Sequence, residues 1–347
     1  LTELRCPRCG DRYGPPARFC IRDGYALVPV QEGEITPREV RARRIWEPGA
    51  AFVEPASRLT GRVLDDRYEL RQQVGAGGMA FVYRALDRER GREVAVKVLA
   101  SHLSADAESV ARLQREAKLT MRLNHPNVCH VLAVGSDRGL HYLVMPLLAG
   151  EPLNLRQERQ GTFSVAEVVP ILKQLAAGLQ HAHDHGVFHR DLKPENVMLV
   201  PAESGERAVI MDFGLAKPAE PLSEADRLTA TGVVLGTPEF MSPEQVRAHP
   251  LDGRSDQYAL AMLAFELLTG ELPIAGGTSQ ATMLRRLTDL PVPLRAKRPD
   301  APAALEAVLA RALARDREDR FPDLHAFAAA LDEVRGVPQA PGKESER

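Results

Sequence analysis

Hydrophobic positions change their spacing along this chain. Between Tyr68 and Met145 they fall in short runs rich in β-branched and aromatic residues. The pattern predicts strands over Tyr68 to Val74, Phe81 to Leu86, Glu93 to Leu99, Val128 to Gly135 and His141 to Met145. One helical stretch, Ala105 to Leu123, interrupts them. After Gly150 the spacing becomes helical, as in Val165 to His185, Arg254 to Thr269 and Ala303 to Leu313, with a strand-like Ala208 to Met211 among them. A strand-rich part followed by a helical one implies an α+β molecule of two lobes, with a ligand in the cleft between them. The expected lobes are residues 66–148 and 149–335. Residues 1–30 carry Cys, Gly, Pro and Arg without apolar periodicity and cannot bury a core of their own. Residues 31–65 read as a linker, in which Thr36-Pro37-Arg38-Glu39 is a capping box that opens a short basic helix through Arg44. Residues 336–347, rich in Pro, Gly and charge, read as a disordered tail.

The 347 residues are 44% hydrophobic and 27% charged with a formal net charge of -2, so no long-range field draws in nucleic acid or anionic lipid. No run approaches a membrane span, and the first residues lack the layout of a secretory signal; the chain reads as cytoplasmic, with no membrane segment. Of four cysteines, Cys6, Cys9 and Cys20 crowd into the first twenty residues, which suggests a metal more than a disulfide framework.

Candidate chemistry begins at Val74-Gly75-Ala76-Gly77-Gly78-Met79-Ala80-Phe81-Val82, which lies between two strands. That context separates it from a dinucleotide-binding turn, which a helix follows. Its glycines let the backbone close over phosphates, although a glycine-rich hairpin without a ligand fits the same residues. In Val94-Ala95-Val96-Lys97 an apolar strand ends in a lysine, either an inward cation that asks for an anion or an edge residue reaching solvent. Glu116, on the following helix, is a candidate partner. His189-Arg190-Asp191-Leu192-Lys193-Pro194-Glu195-Asn196 then places a carboxylate, an ammonium and an amide within six residues, and Asp212-Phe213-Gly214 ends the next strand. Phosphoryl transfer needs metal-binding oxygens, a carboxylate to orient the attacking hydroxyl, and cations for developing charge.

These motifs, in this order, make residues 66–334 resemble the protein kinases, specifically the eukaryotic-like Ser/Thr kinases of bacteria. The resemblance implies a bilobal protein kinase fold, with ATP as phosphate donor and Mg²⁺ as cofactor. It implies that Val74, Gly75, Gly77, Gly78 and Val82 cover ATP, and that Lys97 holds the α- and β-phosphates while paired with Glu116. Asp191 would be the catalytic base, Lys193 would contact the γ-phosphate, and Asn196 with Asp212 would hold Mg²⁺. Met145 would stand at the back of the adenine pocket, Pro146 and Leu148 would form the hinge, and Ala95, Val82 and Met198 would sandwich the purine, positions that plain core packing also suits. A spine through Thr120, Leu132, His189 and Phe213 would rest on Asp256, for which a helix cap is the alternative, and Arg320 would pair with Glu244.

Lys193 and Gly236-Thr237-Pro238-Glu239-Phe240 resemble the Ser/Thr-specific pattern, so the implied substrates are protein Ser and Thr hydroxyls. Thr229 and Thr231 resemble the paired autophosphorylation threonines of bacterial relatives, and Arg190 beside Asp191 suggests a cationic pocket that a phosphate there would fill. The family also admits a homodimer through the N-lobe. Two departures, Ala80 at the third loop glycine and Ser242 in Ser242-Pro243-Glu244, remove no catalytic group. Cys6-Pro7-Arg8-Cys9-Gly10 is a zinc-knuckle half, and Cys20 with Asp23 stands where the second would lie, which resembles a zinc-ribbon arm with a Cys₃Asp site for Zn²⁺. The rival readings are a nucleotide-binding pseudokinase scaffold and a small-molecule phosphotransferase.

Overall fold

The computed structural model describes residues 58–77, 80–104, 107–203, 205–213 and 238–334, together with three two-residue strands upstream. Those strands, β1 (Leu4–Arg5), β2 (Arg12–Tyr13) and β3 (Val28–Pro29), form an antiparallel sheet in the order β2-β1-β3. Arg5 lies opposite both Arg12 and Val28. Arg5, Arg12 and Val28 therefore lie at one end of this sheet. The helix expected after Thr36 lies outside the described residues.

The strand-rich lobe is one six-stranded antiparallel sheet, β4-β5-β6-β7-β9-β8. Its members are β4 (Val63–Leu64), β5 (Tyr68–Ala76), β6 (Ala80–Asp87), β7 (Arg92–Leu99), β8 (Ala133–Asp137) and β9 (Leu140–Pro146). It begins before residue 66: β4 pairs with β5, and Leu59 and Leu64 are fully buried in the lobe's outer core. Those two apolar residues, expected in the linker, are held by the lobe. On β7 the alternation of side chains divides two cores. Val94, Val96 and Val98 enter the outer one, whereas Ala95 and Leu99 enter a second cluster against the helical lobe. Lys97 shares that second face on a strand flanked by β6 and β9, so it is no edge lysine.

The strand expected from Val128 starts only at Ala133, because the preceding backbone is taken by another partner. Cys129 N donates to Ile210 O (2.8 Å), Ile210 N donates to Asn127 O (2.9 Å), and Asn127 Nδ2 donates to Ala208 O (2.7 Å). The helix predicted over Ala105 to Leu123 is α1 (Ser101–Ser104) followed by α2 (Ala107–Thr120).

In the helical lobe, α3 (Leu153–Gln160) follows β10 (Glu151–Pro152), which pairs with β11 (Val197–Ala202) and through it with β12 (Gly205–Ile210). The long α4 (Val165–Asp184) starts at a capping box of Ser164 and Glu167. After α5 (Pro243–Val246), α6 (Gly253–Thr269) runs through the middle of the lobe with thirteen of its seventeen residues buried. α7 (Ser279–Thr288) packs against α5, and α8 (Leu294–Lys297), α9 (Ala303–Ala312) and α10 (Leu324–Asp332) lie around α6 and complete one apolar core. No helix among the described residues is long and apolar enough to cross a membrane.

Candidate active site

Burial of α6 on all sides obliges its polar residues to find partners. Asp256, 1% exposed, accepts from the backbone N–H of His189 and of Arg190, both at 2.8 Å, and lies 2.8 Å from His183 Nε2. Burial opposes its charge, but the hydrogen bond and charge of His183 and the field of His189 hold its carboxyl below the usual range. The cap of α6 is Asp252, so the cap alternative for Asp256 does not hold. What Asp256 secures is strained: Arg190 has φ +63°, in the left-handed region that non-glycine residues rarely occupy. His189 Nε2 donates to Met211 O (2.9 Å), its Nδ1 accepts from Asp191 N (3.3 Å), and its ring meets Phe213 edge-on at 4.9 Å.

This loop sets out the polar groups expected from the sequence. Asn196 Nδ2 donates to Asp191 O (2.8 Å) and lies 3.5 Å from Asp191 Oδ2, and Lys193 Nζ is 3.6 Å from the same oxygen. Met211 N donates to Asn196 O (2.8 Å), which joins the loop to the start of Asp212-Phe213. Asp212, also at positive φ (+57°), directs its carboxylate to Lys97 Nζ at 2.8 Å. Burial alone would raise its pKa; the charge and hydrogen bond of Lys97 outweigh that and lower it. The ion pair described for Lys97 is therefore with Asp212. Glu116, the partner expected from the sequence, lies on α2 with its side chain outside the described residues.

The apolar candidates converge as well. Ala95 and Met145 are buried in the cluster between the lobes, and Val82, Leu148 and Met198 pack against it. Pro146 ends β9 opposite Val94. Gly75 pairs with Val82, and a Cβ at Gly75 would stand 3.4 Å from that side chain, while Gly77 N donates to Ala80 O (2.9 Å). Val74 is 52% exposed beside them. Gly78, Thr229 and Thr231 lie outside the described residues, as do Cys6, Cys9, Cys20 and Asp23.

Below the loop, Glu244 receives both terminal nitrogens of Arg320 at 2.8 Å and the hydroxyl of Ser255 at 2.7 Å, the pairing the resemblance implied. One contact went unread in the sequence: Gln245 Nε2 donates to Arg190 O (2.8 Å) and so ties α5 to the loop. Its signal was the capping box formed by Ser242 and Gln245.

The family described as "Protein kinase domain" matches residues 68–328. Serine/threonine-protein kinase pkn3 of Myxococcus xanthus is 39% identical over 278 residues, covering 79% of this chain and 51% of the relative. Serine/threonine-protein kinase PknA of Mycobacterium tuberculosis is 35% identical over 81% of this chain and 64% of its own length, so the chain spans about half to two-thirds of these relatives. Among solved structures, the PknI kinase domain of Mycobacterium tuberculosis superimposes with a TM-score of 0.64 at 31% identity, covering 79% of this chain and 98% of that domain. With its two lobes, its loop and its cleft residues in this arrangement, the chain belongs to the protein kinase family.

Proposed function

We propose that this chain is a serine/threonine protein kinase, a reading carried by the convergence of Lys97, Asp191, Lys193, Asn196 and Asp212 beside the apolar cluster of Ala95 and Met145. ATP places its purine between Val82, Ala95 and Met198, with Met145 behind it and the backbone of Pro146 and Leu148 along its edge. Val74, Gly75, Gly77 and Gly78 cover its phosphates. Lys97 holds the α- and β-phosphates, paired with Glu116 in that state. Asp191 accepts a hydrogen bond from the Ser or Thr hydroxyl of a protein substrate and takes its proton as the hydroxyl oxygen bonds to the γ-phosphorus. The bond from that phosphorus to the β–γ bridging oxygen breaks, and ADP leaves with the electron pair. Lys193 offsets charge on the γ-phosphate oxygens.

The donor set also fits Mg²⁺, which takes hard oxygen ligands. Asp212 is held in its charged form, and Asn196 commits its Nδ2 to Asp191 O, leaving Oδ1 to coordinate. Asn196 and Asp212 would hold the ion, which supplies neutralisation of phosphate charge when bound.

Labelled ATP with Mg²⁺ tests the reading, with phosphate followed into the protein and into a basic substrate protein. Incorporation on Ser and Thr that Asp191→Asn abolishes is the expected result, with Thr229 and Thr231 among the modified sites. Nucleotide binding without incorporation would replace the kinase by the scaffold.

The upstream arm belongs to the same proposal as a zinc site of Cys6, Cys9, Cys20 and Asp23, whose free thiolates suit a cytoplasmic setting. Its support is the register of β1, β2 and β3: Arg5, which precedes Cys6 in the sequence, lies opposite both Arg12 and Val28. Metal analysis should find one zinc per chain, absent from Cys20→Ser; a zinc-free native protein would exclude the site.

A further inference from the structure

Backbone contacts on three sides set the position of Asp191. Its N–H reaches His189 Nδ1 at 3.3 Å, and its carbonyl accepts from Asn196 Nδ2 at 2.8 Å. The carbonyl before it, Arg190 O, accepts from Gln245 Nε2 at 2.8 Å. The first two bonds arise within the loop, whereas the third comes from α5, 55 residues further along the chain. Arg190 is also the strained residue of the loop, at φ +63°, and its N–H is taken by Asp256 Oδ1 at 2.8 Å. Such a conformation persists only where the surroundings over-determine it. Asp256 holds the peptide on the N-terminal side of Arg190, and Gln245 holds the one on its C-terminal side, which carries Asp191.

Gln245 reaches the loop from a fixed base. Its Oε1 accepts from Ser242 N (2.9 Å) and its N–H donates to Ser242 Oγ (3.3 Å), the two halves of a capping box. Ser242 is fully buried, and the chain before it is held from α7, where Arg286 donates to Met241 O (2.7 Å) and Glu239 O (2.6 Å). The side-chain amide therefore works at both ends: its acceptor serves α5 and its donor serves the loop. For capping alone a glutamate would serve equally, since it is the other residue of the box. An ionised carboxylate, however, has no proton to offer Arg190 O.

We propose that Gln245 is a positioning residue for phosphoryl transfer. It orients the Arg190–Asp191 peptide, and through it the Asp191 carboxylate, and it makes that orientation depend on the seating of residues 239–242. The effect on rate rests on the kinase reading; the effect on the loop rests on the fold alone.

Three substitutions separate the two arms of the amide. Gln245→Lys keeps a donor for Arg190 O and loses the acceptor for Ser242 N, Gln245→Glu does the reverse, and Gln245→Met keeps neither. Each is made in the whole chain and followed by steady-state phosphate transfer from ATP to a basic protein substrate, by urea denaturation, and by amide hydrogen exchange over residues 189–192. Gln245→Glu and Gln245→Met should each lower kcat by roughly thirtyfold, within the range that misplacing a reacting group can cost, and leave KM for ATP nearly unchanged. Exchange in the loop should quicken in both. Gln245→Lys should recover most of the lost kcat and slow the exchange again, even though its urea midpoint falls below that of Gln245→Glu. A capping role alone gives the opposite order, with Gln245→Glu native-like and Gln245→Lys impaired, and that order would overturn the proposal. So would a kcat that falls only in step with the urea midpoint across the series. If Gln245→Glu fails to fold, Gln245→Met carries the comparison with Gln245→Lys. If the native chain transfers no phosphate, the kinase reading fails and exchange still decides: quickening in Gln245→Glu and Gln245→Met but not in Gln245→Lys upholds the coupling, and equal exchange in all four proteins removes it.

Discussion

Asp256 shows how one buried carboxylate shapes the catalytic loop. Its two oxygens receive two consecutive backbone N–H groups and an imidazole, and one of those residues, Arg190, holds a disfavoured φ. An alanine there would leave three buried donors unanswered and remove what opposes the strain. Asp256→Ala should lower the unfolding free energy by about 3 kcal/mol, in the range for breaking a buried charged network, as read from urea denaturation. Phosphate incorporation should fall with it, because Asp191 follows the released segment directly. An unchanged urea midpoint would mean that Gln245 and His189 suffice to hold the loop.

At the scale of the element, α6 carries two acids displaced in opposite directions. Asp256, near its start, is held below the usual range, whereas Glu266, near its end, is pushed up to about 7 by burial and by the carboxylates of Glu195 and Glu239. One Glu266 oxygen is buried without a hydrogen-bond partner among the described residues. A lowered folded-state pKa contributes stability above the unfolded value and loses it as pH falls through the folded one; a raised pKa contributes below the unfolded value and loses stability as pH rises through the folded one. Asp256 therefore governs an acid limb below about pH 4, and Glu266 a decline from 4.5 to about 7. Melting temperatures measured from pH 5 to pH 8 should fall in the native protein and stay nearly level in Glu266→Gln; parallel profiles would remove Glu266 as the cause. Much of this element was legible beforehand. The apolar run from Arg254 to Thr269 predicted its bounds within one residue, and motif spacing placed Asp191, Asn196 and Asp212. Periodicity reports which residues are buried but not which backbone groups they must satisfy. Hence the bond from Gln245 to Arg190, the Lys97–Asp212 pair and the loss of Val128 to Gly135 as one strand emerged only from the fold.

At the scale of the whole molecule, the three apolar cores among the described residues differ in how they are closed. The outer core of the sheet draws on the strand-rich lobe alone, and the core around α6 draws on the helical lobe with only Leu123 and Val128 added from the other. The middle cluster joins Ala95, Leu113 and Met145 of the strand-rich lobe to Val200 and Val209 of the helical one. Among its partly buried members, Val82, Leu148 and Met198 are those expected to receive a purine, so a nucleotide would extend the contact between lobes. Ligand that binds only the folded chain stabilises it by about 2.7 kcal/mol at one hundred times its dissociation constant. For a domain of this size that corresponds to a rise of roughly 5–10 °C in melting temperature. A non-hydrolysable ATP analogue with Mg²⁺ should produce that rise in the native protein and in Asp191→Asn, whose substitution leaves the apolar walls intact. Ala95→Leu, which adds bulk on the cleft face of β7, should abolish the rise while costing the unliganded protein about 1–3 kcal/mol. If the analogue still raises the melting temperature of the Ala95→Leu protein in full, the purine lies elsewhere and the middle cluster is lobe packing alone.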